Sequence, residues 1–260
     1  MTIPLSKFRL FFIIQLVFIL SLSSQTNNSD LILNKQILKE IIDTLTYKLE
    51  NKYVLPDKAT EMGSYIKKRY SQGFYNKITD PNILADILTK DVLSVHNDEH
   101  FYIEYNPKLA KQLATPDSNY IKEQLIINRS KNYGFKKVEI LNGNIGYMDI
   151  SYFAYLNKES ERVAESAFQM LSNCKAIIID LRYGMGGQPE MVCNIAKYFL
   201  KDKTHFMDAT VRNRDVIYNF DSEPDEYFKD LFDVPLYILT SYKTFSAAEM
   251  LTFGLKNAKR

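Results

Sequence analysis

Residues that hold small proteins together through disulfides or metals are scarce in this sequence. It has only two cysteines and three histidines in 260 residues. Neither cysteine lies in a CxxC pair or near a histidine at metal-ligand spacing, so we expect neither a disulfide scaffold nor a structural zinc site. Cys174 stands just before a predicted strand and Cys193 lies in the helix after it, which favours two unpaired thiols in the core.

Glycine, proline and an excess of one charge are also lacking. Nine glycines and eight prolines are too few for a collagen or a low-complexity chain, and 46% hydrophobic residues suffice for a folded core. Lysine and arginine number 33 against 31 acidic residues, without a dense basic block of the kind that binds phosphate backbones. Nucleic acid is therefore not an expected partner.

The N-terminus carries a short apolar run behind two basic residues. Lys7 and Arg9 precede the run Leu10–Leu22, which ends in the small polar residues 23–25. A bilayer span needs roughly 20 residues, and no charged stop-transfer segment follows this shorter run. We predict that residues 1–25 form a cleaved signal peptide, with an uncleaved anchor as the alternative. The mature protein is then periplasmic or secreted and has no stable membrane span.

The next part of the sequence has helical periodicity. Apolar residues recur at helical spacing over 34–50, Pro56 starts a second helical segment, and Asp80 and Pro81 mark the start of a third. These patterns predict a helical N-terminal domain over 26–100. A short strand over 101–105 begins a polar, weakly periodic stretch, which we interpret as a linker or irregular crossing over 101–137.

Strands and helices then alternate. Two strands around the turn 142–144 precede a helix from Asn157 and an uninterrupted apolar strand from Ala176. A helix from Pro189, a strand from Leu236 and a last helix from about Ser246 follow. The order predicts an α/β domain over 138–260.

One loop in this domain is rich in glycine. Gly184, Gly186 and Gly187 follow the strand that ends near Asp180, and their clustering indicates positive φ or close approach to a ligand. Pro189 then opens a helix whose N–H groups suit an anion or an oxyanion. A tight strand-to-helix turn without function is the alternative. The loop lacks the spacing of a nucleotide-binding motif.

A second loop places a serine at a helix start. Ser246 stands where the helix dipole favours negative charge on a neighbouring oxyanion. It also begins a capping box with Glu249, so the hydroxyl has an alternative role as a helix cap. Both roles are compatible only if the hydroxyl faces the cleft.

Two of the three histidines lie four residues apart. His96 and His100 flank Asn97 and Asp98, which favour a turn, so metal binding by the pair is the weaker interpretation. A general-base role for one histidine is the functional alternative to a hydrogen-bonded turn residue.

Taken together, these segments resemble a known peptidase family. The segments are the DEH turn (98–100), NYGF (132–135), NGNIGYMDI (142–150), AIIIDLRYGMGG (176–187) and LYILTSYKTFSAAE (236–249). They resemble the tail-specific, or C-terminal processing, serine peptidases, in particular the bacterial branch similar to interphotoreceptor retinoid-binding protein and to the tricorn core protease. The resemblance covers roughly Leu31 to the end. It implies a crotonase-like ββα core, a small helical N-terminal domain and no PDZ insertion. We expect no cofactor and no metal.

The resemblance also implies roles for individual residues. Ser246 matches the family's nucleophile, and Gly186, Gly187 and the N–H of Ala247 match its oxyanion hole. In the tail-specific branch the base is a lysine well beyond the serine. In the tricorn-like branch it is a histidine before the core, and His100 matches that position.

The sequence departs from the family pattern at its end. Only 14 residues follow Ser246, so the next strand, its glycine-rich turn and an acidic residue of the tricorn-like branch are missing. Lys256 and Lys259 lie on the predicted helix of the nucleophile and do not match the family's lysine. We expect a core that is incomplete at its C-terminus, either in a fragment of a longer chain or in an incomplete relative.

These observations lead to two functional hypotheses. The first is an exported serine peptidase that cleaves peptides or unfolded proteins by acyl transfer, with Ser246 attacking and His100 accepting its proton. The second is a non-catalytic ligand- or peptide-binding protein on the same scaffold. A nucleotide-binding domain is a weaker alternative.

Overall fold

The computed structural model describes residues 16–17, 33–114, 118–212 and 216–260. Within them the chain forms two compact units. The helical unit comprises the described residues up to Tyr120 together with the described part of 210–216, and the sheet unit comprises Ile121–Ala209 and Ile217–Arg260. Apart from two residues, the predicted signal peptide lies outside the described part of the chain, and its cleavage stays a prediction.

Three helices form the body of the helical unit: α1 (Lys35–Lys52), α2 (Pro56–Ser71) and α3 (Pro81–Val95). Helix α3 begins where the sequence places its cap, because the Asp80 side chain accepts the N–H of Asn82, and Asn34 caps α1 by accepting the N–H of Ile37. Their apolar faces pack into one core, with Ile42, Leu45, Leu49, Ile66, Leu88 and Val92 almost fully buried. The periodicity of the sequence therefore predicted these helices correctly.

The stretch after α3 differs from the sequence prediction. The strand β2 spans only Ile103–Glu104 and pairs in parallel with the two-residue strand β1 (Leu16–Val17). Two helices, α4 (Pro107–Ala114) and α5 (Ser118–Ser130), replace the predicted irregular crossing. Asn106 caps α4 through the N–H of Leu109. The apolar residues 125–127 of α5 are consecutive and exposed, so they lack the spacing by which a sequence indicates a helix.

The sheet unit contains a four-stranded sheet. Its strands are β3 (Phe135–Leu141), β4 (Ile145–Ile150), β5 (Ala176–Asp180) and, after a separate two-stranded sheet of β6 (Thr204–Thr210) and β7 (Ile217–Ser222), β8 (Leu236–Leu239). The order is β3-β4-β5-β8, with β3 antiparallel to β4 and the other neighbours parallel. The hairpin between β3 and β4 turns at Gly143 and Asn144, both with positive φ.

Three helices complete the sheet unit: α6 (Lys158–Leu171), α7 (Pro189–Ala196) and α8 (Ala247–Asn257). They share one apolar core with the sheet, and Met148, Phe168, Ile179, Ile195 and Leu251 are completely buried in it. Among the helices in the described part of the chain, none is long and apolar enough to cross a membrane.

The sheet topology determines where the loops of interest emerge. Strands β5 and β8 are parallel neighbours, and Asp180 at the end of β5 pairs with Leu239 at the end of β8. The loops that follow them therefore leave the sheet at the same edge, beyond the carboxyl ends of the strands. In α/β proteins this edge is where ligands bind.

Candidate active site

The loops after β5 and β8 are tied together by side-chain and backbone hydrogen bonds. Three of these bonds are Thr244 Oγ1 to the Leu181 carbonyl at 2.8 Å, Ser241 Oγ to the Arg182 carbonyl at 2.5 Å and the Phe245 N–H to the Gly184 carbonyl at 3.0 Å. Thr244 Oγ1 also accepts the N–H of Ser241 at 2.8 Å. Bonds at both ends of the loop fix residues 241–245 against the glycine-rich loop.

A buried carboxylate fixes the start of the glycine-rich loop. Asp180 accepts hydrogen bonds from the Arg182 guanidinium at 2.6 and 3.0 Å, from the Arg182 backbone N–H at 3.0 Å and from the Tyr147 hydroxyl at 2.7 Å. The Arg182 hydrogen bonds lower the pKa of Asp180 to about 2. The sequence analysis did not assign Asp180 a role in fixing the loop, although residues 180–182 directly precede the glycines. Both carboxylate oxygens of Asp180 already accept hydrogen bonds from Arg182 and Tyr147. We therefore interpret Asp180 as a residue that positions the loop.

The glycine-rich loop lies against residue Phe153. The Phe153 N–H donates to the Gly186 carbonyl at 3.3 Å, and the Gln188 N–H donates to the Phe153 carbonyl at 2.9 Å. Between them Gly187 has φ +149°, and a Cβ atom there would lie 2.1 Å from the Phe153 carbonyl oxygen. Only glycine fits this position, both sterically and conformationally.

Ser246 has an unusual backbone conformation at the start of α8. Its φ of 55° and ψ of −112° are rare for a residue with a side chain. The Ser246 N–H donates to Glu249 Oε2 at 2.6 Å, so this half of the predicted capping box is formed. Ser246 and Glu249 therefore have the reciprocal arrangement of a capping box at the start of α8. The Glu249 carboxylate caps the helix through the Ser246 backbone N–H.

The glycine-rich loop and Ser246 are in close contact. A Cβ atom added to Gly186 would lie 3.0 Å from Ser246 Cβ and 3.1 Å from Ser246 Oγ. One added to Gly184 would lie 3.1 Å from Ala248 Cβ. The absence of side chains on the loop lets its backbone approach the first turn of α8. The structure therefore brings together Ser246, Ala247 and the two glycines that the sequence analysis proposed as one site.

His100 lies in the helical unit, in the turn after α3. The α-helix ends at Val95 with His96 as its C-cap, and the Phe101 N–H bonds the Asp98 carbonyl at 2.9 Å. The predicted turn over 96–100 is confirmed. The pairing of His100 with Ser246 stays a prediction.

Neither metals nor the cysteines contribute to the described geometry. Within residues 33–114, 118–212 and 216–260, no group of three or more His, Cys, Asp or Glu side chains is placed to hold a metal ion. Cys174 and Cys193 are both buried as free thiols, as the sequence predicted. Burial raises the pKa of Cys193 to about 12, which makes it a poor nucleophile.

Several solved structures are similar to this chain. A candidate peptidase from Parabacteroides merdae ATCC 43184 is 17% identical, with a TM-score of 0.50 over 84% of this chain and 72% of that one. The photosystem II D1 C-terminal processing protease is 24% identical with a TM-score of 0.36, and the match covers 46% of this chain and 30% of that protein. A candidate S41 protease from Bacteroides fragilis NCTC 9343 is 21% identical with a TM-score of 0.35, over 48% and 36% of the two chains. The likeness to the Parabacteroides protein confirms the mixed α/β fold with its helical N-terminal part.

Family models match both parts of the chain. The model of peptidase family S41 matches residues 144–260, which include the glycine-rich loop and Ser246. The model of the N-terminal domain of peptidase family S41 in eukaryotic IRBP matches residues 26–131. The two models match in colinear order and confirm the resemblance seen in the sequence. The chain belongs to peptidase family S41.

Proposed function

We propose that this protein is an exported serine-type peptidase in which Ser246 is the nucleophile. The observation that carries the proposal is the strained backbone of Ser246 at a helix start, directly beside the Gly186 backbone. A serine at positive φ at a helix start resembles a nucleophile elbow, in which backbone strain exposes the hydroxyl. The basic residues and short apolar run at the N-terminus support export.

The proposed reaction is acyl transfer. Ser246 Oγ bonds to the carbonyl carbon of a peptide bond while His100 takes the hydroxyl proton. The N–H groups of Gly186, Gly187 and Ala247 stabilise the resulting oxyanion. The tetrahedral intermediate then loses its C–N bond, the amine leaves with the proton from His100, and water hydrolyses the acyl ester. The substrates are peptides or unfolded proteins, as membership of a peptidase family supports.

A fluorophosphonate probe tests the nucleophile. We expect the chain to gain one probe by intact-mass analysis, and Ser246→Ala to gain none. Ser166→Ala is the matched control, because Ser166 is an exposed serine of α6 in the same unit, and it retains labelling. A wild-type chain that is not labelled and does not cleave an unfolded protein supports the alternative, a non-catalytic peptide-binding protein on this scaffold.

A pair of histidine variants tests the base. We expect His100→Ala to slow labelling by about 10²- to 10⁴-fold, the usual contribution of a general base. His205→Ala is the control, because His205 is a half-exposed histidine of β6 whose ring contacts Asp221 and not the turn of His100. Equal rates for the two variants would remove His100 from the mechanism and leave a lysine, as in the tail-specific branch, as the base.

A further inference from the structure

A carboxylate in the turn after α3 contacts the ring of His100. Asp98 Oδ1 lies 3.5 Å from His100 Nδ1, and it accepts the His100 backbone N–H at 2.9 Å. The side chains of Asp98 and His100 are 14% and 21% exposed, respectively. Solvent therefore screens the electrostatic attraction between them only in part. The same oxygen therefore fixes the backbone of the histidine and contacts its ring.

The second oxygen of this carboxylate is also held. Asp98 Oδ2 accepts the hydroxyl of Tyr53 at 2.8 Å. The Tyr53 ring packs edge-on against Phe101 and His96, and the Arg212 guanidinium donates to the Tyr53 carbonyl at 2.5 Å. Since Tyr53 is anchored on two sides, it orients the carboxylate toward the histidine.

Hydrogen-bond donors around Asp98 keep its carboxyl group ionised. Hydrogen bonding from His100, with Tyr53 as a second donor, lowers the pKa of Asp98 to about 2. The Tyr53 phenol has a raised pKa because it is desolvated and bonded to this carboxylate, so it stays a neutral donor. At neutral pH the histidine ring therefore faces an anion through Nδ1.

We infer that Asp98 is a positioning residue for His100, which holds the proton on Nδ1 and so makes Nε2 the basic nitrogen. An anion beside one ring nitrogen favours the tautomer with a proton on that nitrogen. A serine peptidase base needs this tautomer, because the other nitrogen must take the nucleophile's proton. A distance of 3.5 Å is long for a hydrogen bond, as is usual for catalytic groups without substrate. The inference rests on the proposed role of His100.

Nitrogen NMR tests the inference without any catalytic readout. The chain has three histidines, so ¹⁵N-labelled imidazole signals can be assigned with the variants His96→Ala and His100→Ala. In the wild-type chain, above the pH at which the ring is protonated, we expect His100 as the Nδ1–H tautomer. In Asp98→Ser, where the hydroxyl can replace the turn acceptor but not the charge, we expect the Nε2–H tautomer. The same tautomer in both proteins would overturn the inference.

Two controls separate positioning from folding. Glu99→Gln removes the neighbouring exposed carboxylate, and it leaves the His100 tautomer and labelling rate unchanged. The amide resonance of His100 reports whether the turn survives in Asp98→Ser. If that variant fails to fold, Asp98→Asn keeps an acceptor oxygen and the side-chain volume without the charge, and we expect a lower Nδ1–H fraction than in wild type.

Kinetics complete the test. We expect Asp98→Ser to slow fluorophosphonate labelling by about 10²- to 10⁴-fold, since a histidine in the wrong tautomer loses most of its value as a base. A changed tautomer with an unchanged labelling rate would overturn the positioning role. If the wild-type chain is not labelled at all, the proposed peptidase function fails, while the NMR comparison still decides whether Asp98 sets the tautomer.

Discussion

The backbone of Gly186 lies directly against the side chain of Ser246. A Cβ atom at residue 186 would come within 3.1 Å of the Ser246 hydroxyl oxygen, which is closer than most Cβ contacts in proteins. The hydroxyl and the loop backbone are thus adjacent without an intervening side chain. The proposed oxyanion hole needs backbone donors close to the nucleophile, because the oxygen that becomes charged belongs to the carbonyl group that the serine attacks.

Gly186→Ala tests this adjacency. The added methyl group displaces the serine hydroxyl or the loop, so we expect labelling to slow by about 10²-fold or more, the usual cost of one lost oxyanion donor. Circular dichroism should show a folded protein. Gly63→Ala in α2 is the control, because its Cβ atom would meet only ordinary contacts at 3.5 Å or more, and labelling stays unchanged. An unchanged rate in folded Gly186→Ala would exclude this loop from the oxyanion site.

The strain at Ser246 makes a prediction about stability. A residue with a Cβ atom at positive φ costs about 1–2 kcal/mol relative to glycine. We therefore expect Ser246→Gly to be more stable than Ser246→Ala by about 1 kcal/mol in urea unfolding, while neither variant is labelled. At Ser166, inside α6, the order is reversed, because glycine is about 1 kcal/mol worse than alanine in a helix. If the alanine variant were more stable than the glycine variant at both residues, the backbone of Ser246 would not be strained.

The pair Asp180–Arg182 makes a prediction about pH. The folded-state pKa of Asp180 is about 2, below the roughly 3.9 of an unfolded aspartate, so the unfolded chain binds more protons between these values. The stability from this carboxylate is present above about pH 4 and disappears as the pH falls through about 2.

Arg182→Gln removes the guanidinium that lowers this pKa. We expect the variant to have a lower melting temperature than the wild-type chain at pH 7, and the difference to shrink as the pH falls from 4 to 2. Lys175→Gln, at an exposed residue just before β5, is the control and shows no such pH-dependent difference. A difference that stays constant from pH 7 to pH 2 would contradict the assigned cause of the lowered pKa.

The sequence by itself determined the features that depend on local patterns. Apolar residues at helical spacing defined α1 and, together with the cap Asp80, α3, because a helix face and its first turn are set by residues within a few positions. The glycines of the loop 184–187 and the serine at the start of α8 could likewise be identified as candidate site residues, because each stands in a short local motif. Residue order then sufficed to identify the family.

Features without a local pattern were not predictable. Helix α4 is only eight residues long, which is too short for a periodic pattern to stand out in the sequence, and α5 lacks a regular apolar face. The role of Asp98 was also missed, because its sequence indicated only a turn. Its contacts with Tyr53 join residues 45 positions apart in the chain.

Only the tertiary structure decided where Ser246 lies relative to the glycine-rich loop. Its sequence context, TFSAAE, is equally that of a helix cap and of a nucleophile. The positive φ of Ser246 and the approach of Gly186 arise because the parallel pairing of β5 with β8 brings their two loops to one edge of the sheet. The Thr244 hydroxyl then ties these loops through the carbonyl of Leu181, 63 positions away. The pairing of these strands depends on packing throughout the sheet unit, so a short segment of the sequence cannot predict it.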